Sequence, residues 1–381
     1  MNSIVISLGG MSVHYLGCYG SPWLETPELS RFAVESCVFD QMFVECPDPQ
    51  VTRRAWWSGC YQLSRHRTAN QPELSSRIPC LRSSGVHSVL FRDTGGLTSG
   101  LDIGVAGFDR VQEIERQDAS GVGTLFDAAQ AWLEREAANG PYLLFLDVHG
   151  AHSPWFAVEA EELQDGEDAT LIAEDSADSD LDFAGEPPRD TAEDFGPDWT
   201  AYLDCVAYLD QQLGAFLDFL RCRDEWSQSL IVVTSDTGIA MEKEAAGRPA
   251  LRESLTHIPL LIRVPGINDW PRRSAALVQP VDIMPTILES QQVSIPPDVD
   301  GQSLIPLIRF GRTKALDCAR LSMPGLEVAL RTPAWLLIKS VPSAGSEMPS
   351  SRLFAKPEDR WERDDVARQF QQVVEDLESS L

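Results

Sequence analysis

Residues 3–10, SIVISLGG, decide the fold, because a run of strand-forming residues ends directly in two glycines. A short, mostly apolar run rich in isoleucine and valine is typical of a strand that is covered on both faces, as in a parallel sheet. In such sheets the chemistry collects just beyond the carboxyl ends of the strands. The turn after this strand provides only Gly9 and Gly10, so two residues without side chains stand where functional groups are expected.

The same pattern continues along the chain, where short apolar runs alternate with segments of helical period. This alternation predicts an α/β fold with a mostly parallel central sheet flanked by helices. We predict further strands at HSVLF (87–91), YLLFLDV (142–148), LIVVTS (230–235) and IPLLIRV (258–264), and helices over 26–36, 51–59, 123–137, 199–221 and 281–289.

The pattern changes after about residue 310. The segments ARLSM, EVALRT and WLLIKS read as short strands joined by tight turns, and DDVARQFQQVVEDLESSL reads as a closing amphipathic helix. The sequence therefore predicts two units, an α/β domain over 1–310 and a C-terminal subdomain with a small antiparallel sheet over 311–381.

The formal net charge of −27 argues against nucleic acid and anionic membranes as partners, because both would be repelled by most of the surface. Much of the charge lies in a predicted acidic insertion at about 157–198, where roughly sixteen acidic residues face a single base, Arg189. This composition favours a solvated surface insertion over a cation-binding or partner-docking segment.

The eight cysteines are scattered singly, without a CxxC pair or a compact framework. The start of the chain has neither a basic region nor a cleavable apolar segment, and no apolar run has the length of a membrane span. These features predict a reduced, cytoplasmic setting without a membrane partner.

Many segments resemble the sulfatase family of the alkaline phosphatase superfamily, and they occur in the family's order. They include HYLGCYGSPWLETPELSRFAVESCVFDQMFV, TRRAWWSGCYQ, GVHSVLF, PYLLFLDVHGAHSPW, YLDCVAYLDQQLGAFLDFL, LIVVTSDTG, RESLTHIPLLIRVPG, VQPVDIMPTILE and DGQSLIPL, followed by ALRTPAWLLIKS and RLFAKPEDRWERDDVA as the family's C-terminal strands and closing segment.

The resemblance implies a specific chemistry, the hydrolysis of sulfate esters. The family uses a formylglycine, made from a cysteine in a CxPxR context at a helix N-terminus, beside a divalent metal that is usually calcium. The hydrated aldehyde supplies the nucleophile, and the metal and cationic side chains neutralise the sulfuryl oxygens. Each of these parts has a counterpart position in this sequence.

Most of the implied metal ligands are missing. The acidic pair that the family places after the first strand falls on Gly9 and Gly10. The later ligand pair falls in SDTG, which keeps Asp236 but has Thr237 as its second member. We therefore expect no metal cofactor, and Asp236 is the one retained ligand position.

The nucleophile is missing as well. Its position falls on Pro49, and proline cannot be oxidised to formylglycine; Cys46 lacks the required downstream residues, and Thr52 lies three residues too far along. Asp93 and Gly95 stand where the family carries a lysine and a histidine that contact sulfate and leaving group.

Four positions of the implied site survive. They are Arg53, His152 in HGAHSPW, Asp236, and Arg248, where the family usually has lysine. Because close carboxylates without a cation repel each other, we interpret the glycine pair as a way to remove charge and leave space, with Asp236 pairing with Arg53 or Arg248. His152 fits two roles, a donor to an oxyanion or a satisfied cleft histidine.

Two hypotheses follow, and whether the chain is an enzyme stays open at this point. The favoured one is a pseudoenzyme that has lost ester hydrolysis and binds a sulfate-like or phosphate-like anion, or a protein partner, in the old cleft. The alternative is an active sulfuric-ester or phosphoric-ester hydrolase that uses water or Thr52 in a rearranged site. A purely structural subunit is a third reading. The remaining histidines are interpreted as packing or surface residues: His14, His66, His87, His149 and His257.

Overall fold

The computed structural model describes residues 1–63, 76–93, 107–115, 120–152, 199–240, 250–267, 273–311, 316–341 and 350–381. Three features of the sequence analysis lie outside the described residues: the acidic insertion at 157–198, Gly95 and Arg248.

The main body is a mixed, mostly parallel sheet, which confirms the predicted fold class. Within the described ranges its strands are β1 (Asn2–Leu8), β2 (Cys37–Met42), β3 (His87–Asp93), β4 (Arg110–Ile114), β5 (Tyr142–Val148), β6 (Ser229–Thr234), β7 (Leu260–Arg263) and β8 (Arg273–Val278). These eight strands lie in the order β4-β3-β5-β1-β6-β7-β2-β8. The first strand pairs in parallel with β5 and β6, whereas β7 runs antiparallel to both β6 and β2.

The five predicted strands of this sheet are present within two residues of their expected ends, but β2, β4 and β8 were not predicted. β4 and β8 are the two edge strands. RVQEI is exposed or partly buried throughout, and RSAALV is so over its first four residues, because an edge strand is covered incompletely. Such strands lack the long apolar run that is typical of a strand buried on both faces.

Helices cover both faces of the sheet. They are α1 (Pro27–Val34), α2 (Pro49–Ser58), α3 (Ile78–Ser83), α4 (Ser120–Glu136), α5 (Trp199–Arg221), α6 (Asp224–Gln228), α7 (Glu253–Thr256), α8 (Ile283–Ser290), α9 (Ile305–Phe310) and α10 (Gln371–Glu378). The side chains of β1 alternate between two cores: Ile4, Ile6 and Leu8 pack with α1, α4 and α5 on one face, and Val5 packs with α2, α8 and α9 on the other. Among the described residues, no helix is both long and apolar enough to cross a bilayer.

A second sheet follows α9 and is antiparallel throughout, as predicted for the C-terminal part. Its order is β12-β11-β10-β9. The closing helix α10 is shorter than expected, because Asp365 accepts hydrogen bonds from the Leu353 and Ala367 amides and ties the preceding segment to β12. The boundary at residue 310 stays a prediction. The strands are β9 (Ala319–Met323), β10 (Glu327–Arg331), β11 (Trp335–Ser340) and β12 (Ser351–Ala355).

A buried charge cluster joins the two sheets. Lys356, which follows β12, contacts Glu253 on α7 (Nζ–Oε2 3.3 Å) and also Glu362. Glu253 in turn pairs with Arg331 at the end of β10. We call Glu253, Arg331, Lys356 and Glu362 the subdomain cluster. It contains two basic and two acidic side chains.

Candidate functional site

The sheet topology brings the family positions to one edge. Because β5, β1 and β6 are parallel neighbours, the turns after their carboxyl ends lie side by side. These turns carry Gly9 and Gly10, His152, and Asp236 with Thr237. Helix α2 supplies Arg53 to the same place. The structure thus brings Arg53, His152 and Asp236 together at the carboxyl ends of the strands, where the sequence analysis expected the site.

Arg53 is held by two carboxylates. Its Nε and Nη2 donate to the two oxygens of Asp147 on β5 at 2.7 and 3.0 Å, a bidentate pair. The same Nη2 lies 2.9 Å from Oδ2 of Asp236. Burial opposes the charge of the guanidinium, but the Asp147 and Asp236 carboxylates outweigh it and hold the pKa of Arg53 above its ordinary value. Arg53 is permanently charged here.

Both oxygens of Asp236 are engaged. While Oδ2 pairs with Arg53, Oδ1 lies 2.8 Å from His152 Nε2 and accepts from the amides of Gly10 (3.2 Å) and Thr237 (2.7 Å). Burial favours the neutral acid, yet the charges of His152 and Arg53 outweigh burial and hold the pKa of Asp236 well below its ordinary value. We call Arg53, Asp147, His152 and Asp236 the strand-end cluster.

Asp147 was missed by the sequence analysis. It supplies the bidentate partner of Arg53 and is almost completely buried. The signal was present, since Asp147 is the one charged residue in the buried strand YLLFLDV. A buried carboxylate needs a cation or several donors, so this strand already implied a partner for it.

The interpretation that the glycines leave space is wrong. The turn of residues 149–152 packs directly on them, and the Ala151 amide donates to the Gly9 carbonyl at 2.7 Å. A Cβ on Gly9 would lie 2.5 Å from the His149 carbonyl oxygen, and one on Gly10 would lie 2.8 Å from the Ala151 carbonyl carbon. Gly10 also has φ +76°, which disfavours a side chain. The glycines are a contact surface for the neighbouring turn.

Pro49, the position that the family resemblance assigns to the nucleophile, begins a helix. Asp48 caps α2 by accepting from the amides of Gln50 (2.7 Å) and Val51 (3.3 Å), and Pro49 is the first helical residue. The carboxylate therefore occupies amide donors that a helix N-terminus offers to an anion. Pro49 has a purely conformational role in this arrangement.

Neither alternative nucleophile is activated. Burial raises the pKa of the Cys46 thiol to about 12, so the thiolate is scarce at neutral pH. The hydroxyl of Thr52 is buried and, among the described residues, no group accepts its proton. A hydroxyl nucleophile requires a base within hydrogen-bond reach. Asp93, at the family's lysine position, instead accepts from the His149 amide at 3.0 Å.

The residues present do not fit the family's metal. Gly9, Gly10 and Thr237 offer no carboxylate, Oδ2 of Asp236 is ion-paired with Arg53, and Oδ1 accepts hydrogen bonds. Within the described ranges, no three or more histidine, cysteine, aspartate or glutamate side chains are arranged to hold a metal ion. Calcium usually takes six to eight oxygen ligands, and in the native chain the carboxylates of Asp147 and Asp236 are already paired with Arg53.

The mixed sheet keeps its residues of interest at the carboxyl ends of parallel strands, where α/β proteins generally have their functional sites. The Sulfatase family model matches residues 1–292, and the chain therefore belongs to the sulfatase family.

Curated relatives share only part of the chain. Arylsulfatase K of Gallus gallus is 29% identical over 193 residues, which cover 47% of this chain and 35% of that protein. N-acetylglucosamine-6-O-sulfatase of Bacteroides thetaiotaomicron is 32% identical over 116 residues, covering 30% of this chain and 21% of the relative. The chain thus spans about a third or less of the length of these two relatives.

Solved structures match over nearly the whole chain. A sulfatase structure from the glycosaminoglycan metabolism of Bacteroides thetaiotaomicron gives a TM-score of 0.76 at 16% identity, covering 99% of this chain and 94% of the other. The phosphonate monoester hydrolase of Agrobacterium radiobacter gives 0.72 at 17% identity, with 100% and 94% coverage. At such identities the likeness establishes the fold alone.

Proposed function

We propose that this chain is a pseudoenzyme of the sulfatase family, which has kept the fold and lost the hydrolysis of sulfate esters. One observation carries the proposal: the Arg53 guanidinium is locked between Asp147 and Asp236, where a hydrolase needs groups free to act on a substrate. The proline at position 49 and the glycines at positions 9 and 10 agree with it, since they supply neither nucleophile nor metal ligand.

The remaining role is recognition, and the contacts favour a protein partner over an oxyanion. Arg53 directs Nε and Nη2 at two carboxylates, and Asp48 covers amides at the start of α2. An oxyanion would have to compete with these carboxylates for the same donors. The net charge of −27 instead favours a partner with a basic surface. The eight cysteines, all free thiols, support a reducing setting such as the cytoplasm.

The alternative, an active ester hydrolase with a rearranged site, would have to use Thr52 or a bound water. His152 is the nearest base to consider, but its Nε2 is committed to Asp236. Loss of a catalytic nucleophile typically lowers the rate by several orders of magnitude. We therefore expect turnover, if measured, to be at the level of the uncatalysed reaction.

The test is hydrolysis of aryl sulfates, phosphate monoesters and phosphonate monoesters by the purified chain, with and without millimolar calcium or magnesium. An active arylsulfatase assayed in parallel and the variant Asp236→Asn are the controls. We expect the native chain and the variant to be indistinguishable. Turnover that the variant abolishes would establish the alternative. A rise in Tm with sulfate that Arg53→Ala removes would instead favour an oxyanion over a protein partner.

A further inference from the structure

We propose that the Arg53 guanidinium takes the place of the divalent metal at this sheet edge, so that the chain carries its own cation and takes up none from solution. This proposal rests on the proposed function and adds that Arg53 holds the strand ends together where the family uses a metal ion. It concerns stability and cation binding, which are measured separately from turnover.

The first step is charge compensation. Asp147 and Asp236 are both buried, one on β5 and the other in the turn after β6, on either side of β1. Two close carboxylates in a buried site repel each other and each resists burial unless a cation is shared between them. A single nitrogen, Arg53 Nη2, contacts both, at 3.0 Å and 2.9 Å. One positive group therefore bridges two negative ones, which is what a metal ion does between its ligands.

The second step is exclusion. The Arg53 side chain is only 6% exposed and makes a bidentate pair with Asp147. A divalent ion would have to displace the guanidinium to reach these oxygens. His152 contacts the remaining oxygen of Asp236. The native cluster is thus closed to an external cation both sterically and electrostatically.

The third step is what removal of the guanidinium leaves behind. The variant Arg53→Met keeps an apolar stem of similar length but leaves the Asp147 and Asp236 carboxylates facing each other. Oxygens of both lie within 3.0 Å of one nitrogen, so a single cation at that point would contact both. Calcium binds oxygen ligands at about 2.3–2.6 Å in flexible geometry, and water can supply the ligands that the two carboxylates do not. The variant should therefore acquire a dependence on calcium that the native chain lacks.

Arg221 provides a matched control. It also bridges two carboxylates, with Nη2 2.6 Å from Glu35 and Nη1 2.7 Å from Asp218. These carboxylates are 36% and 51% exposed, so water solvates them after the arginine is removed. Arg221→Met should create no calcium dependence.

The experiment measures Tm for the native chain, Arg53→Met and Arg221→Met in chelator and in millimolar calcium or magnesium, together with the metal content of the native protein. Calcium should raise the Tm of Arg53→Met by about 4 °C or more, because a ligand that binds only the folded state stabilises it, while the other two proteins shift by less than about 1 °C. Stoichiometric metal in the native chain, or equal shifts in the two arginine variants, would overturn the proposal.

A second variant covers the case in which Arg53→Met does not fold. Arg53→Met combined with Asp147→Asn removes one negative charge together with the positive one and leaves Asp236 with His152. It should fold without calcium and show no calcium shift. If this double variant is as unstable as the single one, charge compensation is not the role of Arg53 and the proposal fails. Neither result depends on whether the native chain hydrolyses esters.

Discussion

The strand-end cluster and the subdomain cluster are both buried groups of ion pairs, yet only the first lies where the family keeps its chemistry. The strand-end cluster uses one arginine, two carboxylates and an imidazole at the ends of parallel strands. The subdomain cluster uses two basic and two acidic side chains to join the α/β sheet to the antiparallel sheet.

The comparison teaches that buried, strongly perturbed charges do not by themselves identify an active site. In the subdomain cluster, Lys356 and Arg331 outweigh burial and lower the pKa of Glu253. In the strand-end cluster, His152 and Arg53 outweigh burial and lower the pKa of Asp236. What sets the strand-end cluster apart is its place in the fold. Under the proposed function, its residues serve as a structural group of ion pairs.

The largest effect is expected in the subdomain cluster. Lys356→Met leaves Glu253 paired with Arg331 and removes the cationic partner of Glu362, and breaking a buried pair in this way costs about 3–5 kcal/mol of unfolding free energy. Lys339→Met is the matched control, because Lys339 pairs with Glu378 at the surface, and it should cost less than about 1 kcal/mol. Urea unfolding measures both. Equal losses would mean that the subdomain cluster does not stabilise the interface.

His257 lies beside the subdomain cluster, because its amide donates to the Glu253 carbonyl at 2.8 Å. Acid should destabilise the fold through this histidine, by an amount intermediate among the three effects. Burial lowers the pKa of His257 to about 4, so the unfolded chain binds more protons than the folded one between about pH 6.5 and 4. The His257 contribution is therefore present above pH 6.5 and falls on acidification, by an order of 3 kcal/mol in all. The lowered pKa of Asp236 means that its contribution is lost only below its ordinary pKa of 3.8.

His257→Gln isolates this imidazole effect. The side chain of His257 donates from Nε2 to the Asp40 carbonyl at 2.8 Å, a bond that glutamine can keep. The comparison is needed because Glu362 has the opposite pH dependence. Burial raises its pKa to about 8, so its contribution to the unfolding free energy is present below about pH 4.5 and is lost as the pH rises to about 8. Urea unfolding at pH 7 and pH 5 should show a smaller acid loss in the variant. An unchanged loss would assign the acid sensitivity to other groups.

The smallest of the three effects concerns the glycine contact. Gly10→Ala and Gly20→Ala place a methyl group at similar positive φ angles, +76° and +82°, so the conformational cost of about 1 kcal/mol is shared. At Gly20 no heavy atom lies within 4 Å of the added Cβ, whereas at Gly10 the Ala151 carbonyl lies within 3 Å. Gly10→Ala should lose about 1–3 kcal/mol more. Equal Tm values for the two variants would mean that the turn of residues 149–152 yields without cost.

Much of the fold was predictable because its signals are local. The apolar runs of β1, β5 and β6 predicted the parallel core, and their order placed Asp236 near the end of β1. The predicted pair between Asp236 and Arg53 is present at 2.9 Å. The edge strands β4 and β8 were not predicted, because exposed positions are mixed with their apolar residues.

The details of the site were less predictable because they depend on contacts between distant segments. The position of the His149–His152 turn against Gly9 and Gly10 is set by backbone packing, which leaves no spacing pattern in the sequence. The subdomain cluster likewise draws its residues from four separate segments. Only Asp147, a lone acid in an apolar strand, carried a signal that the sequence analysis did not use.

The turn seated on Gly9 and Gly10 has a consequence for engineering a metal site at this sheet edge. A side chain at position 9 would place its Cβ 2.5 Å from the His149 carbonyl oxygen. At position 10 the same turn and the positive φ both oppose a side chain. Acidic substitutions alone would therefore not build the site, because the turn of residues 149–152 would have to move with them.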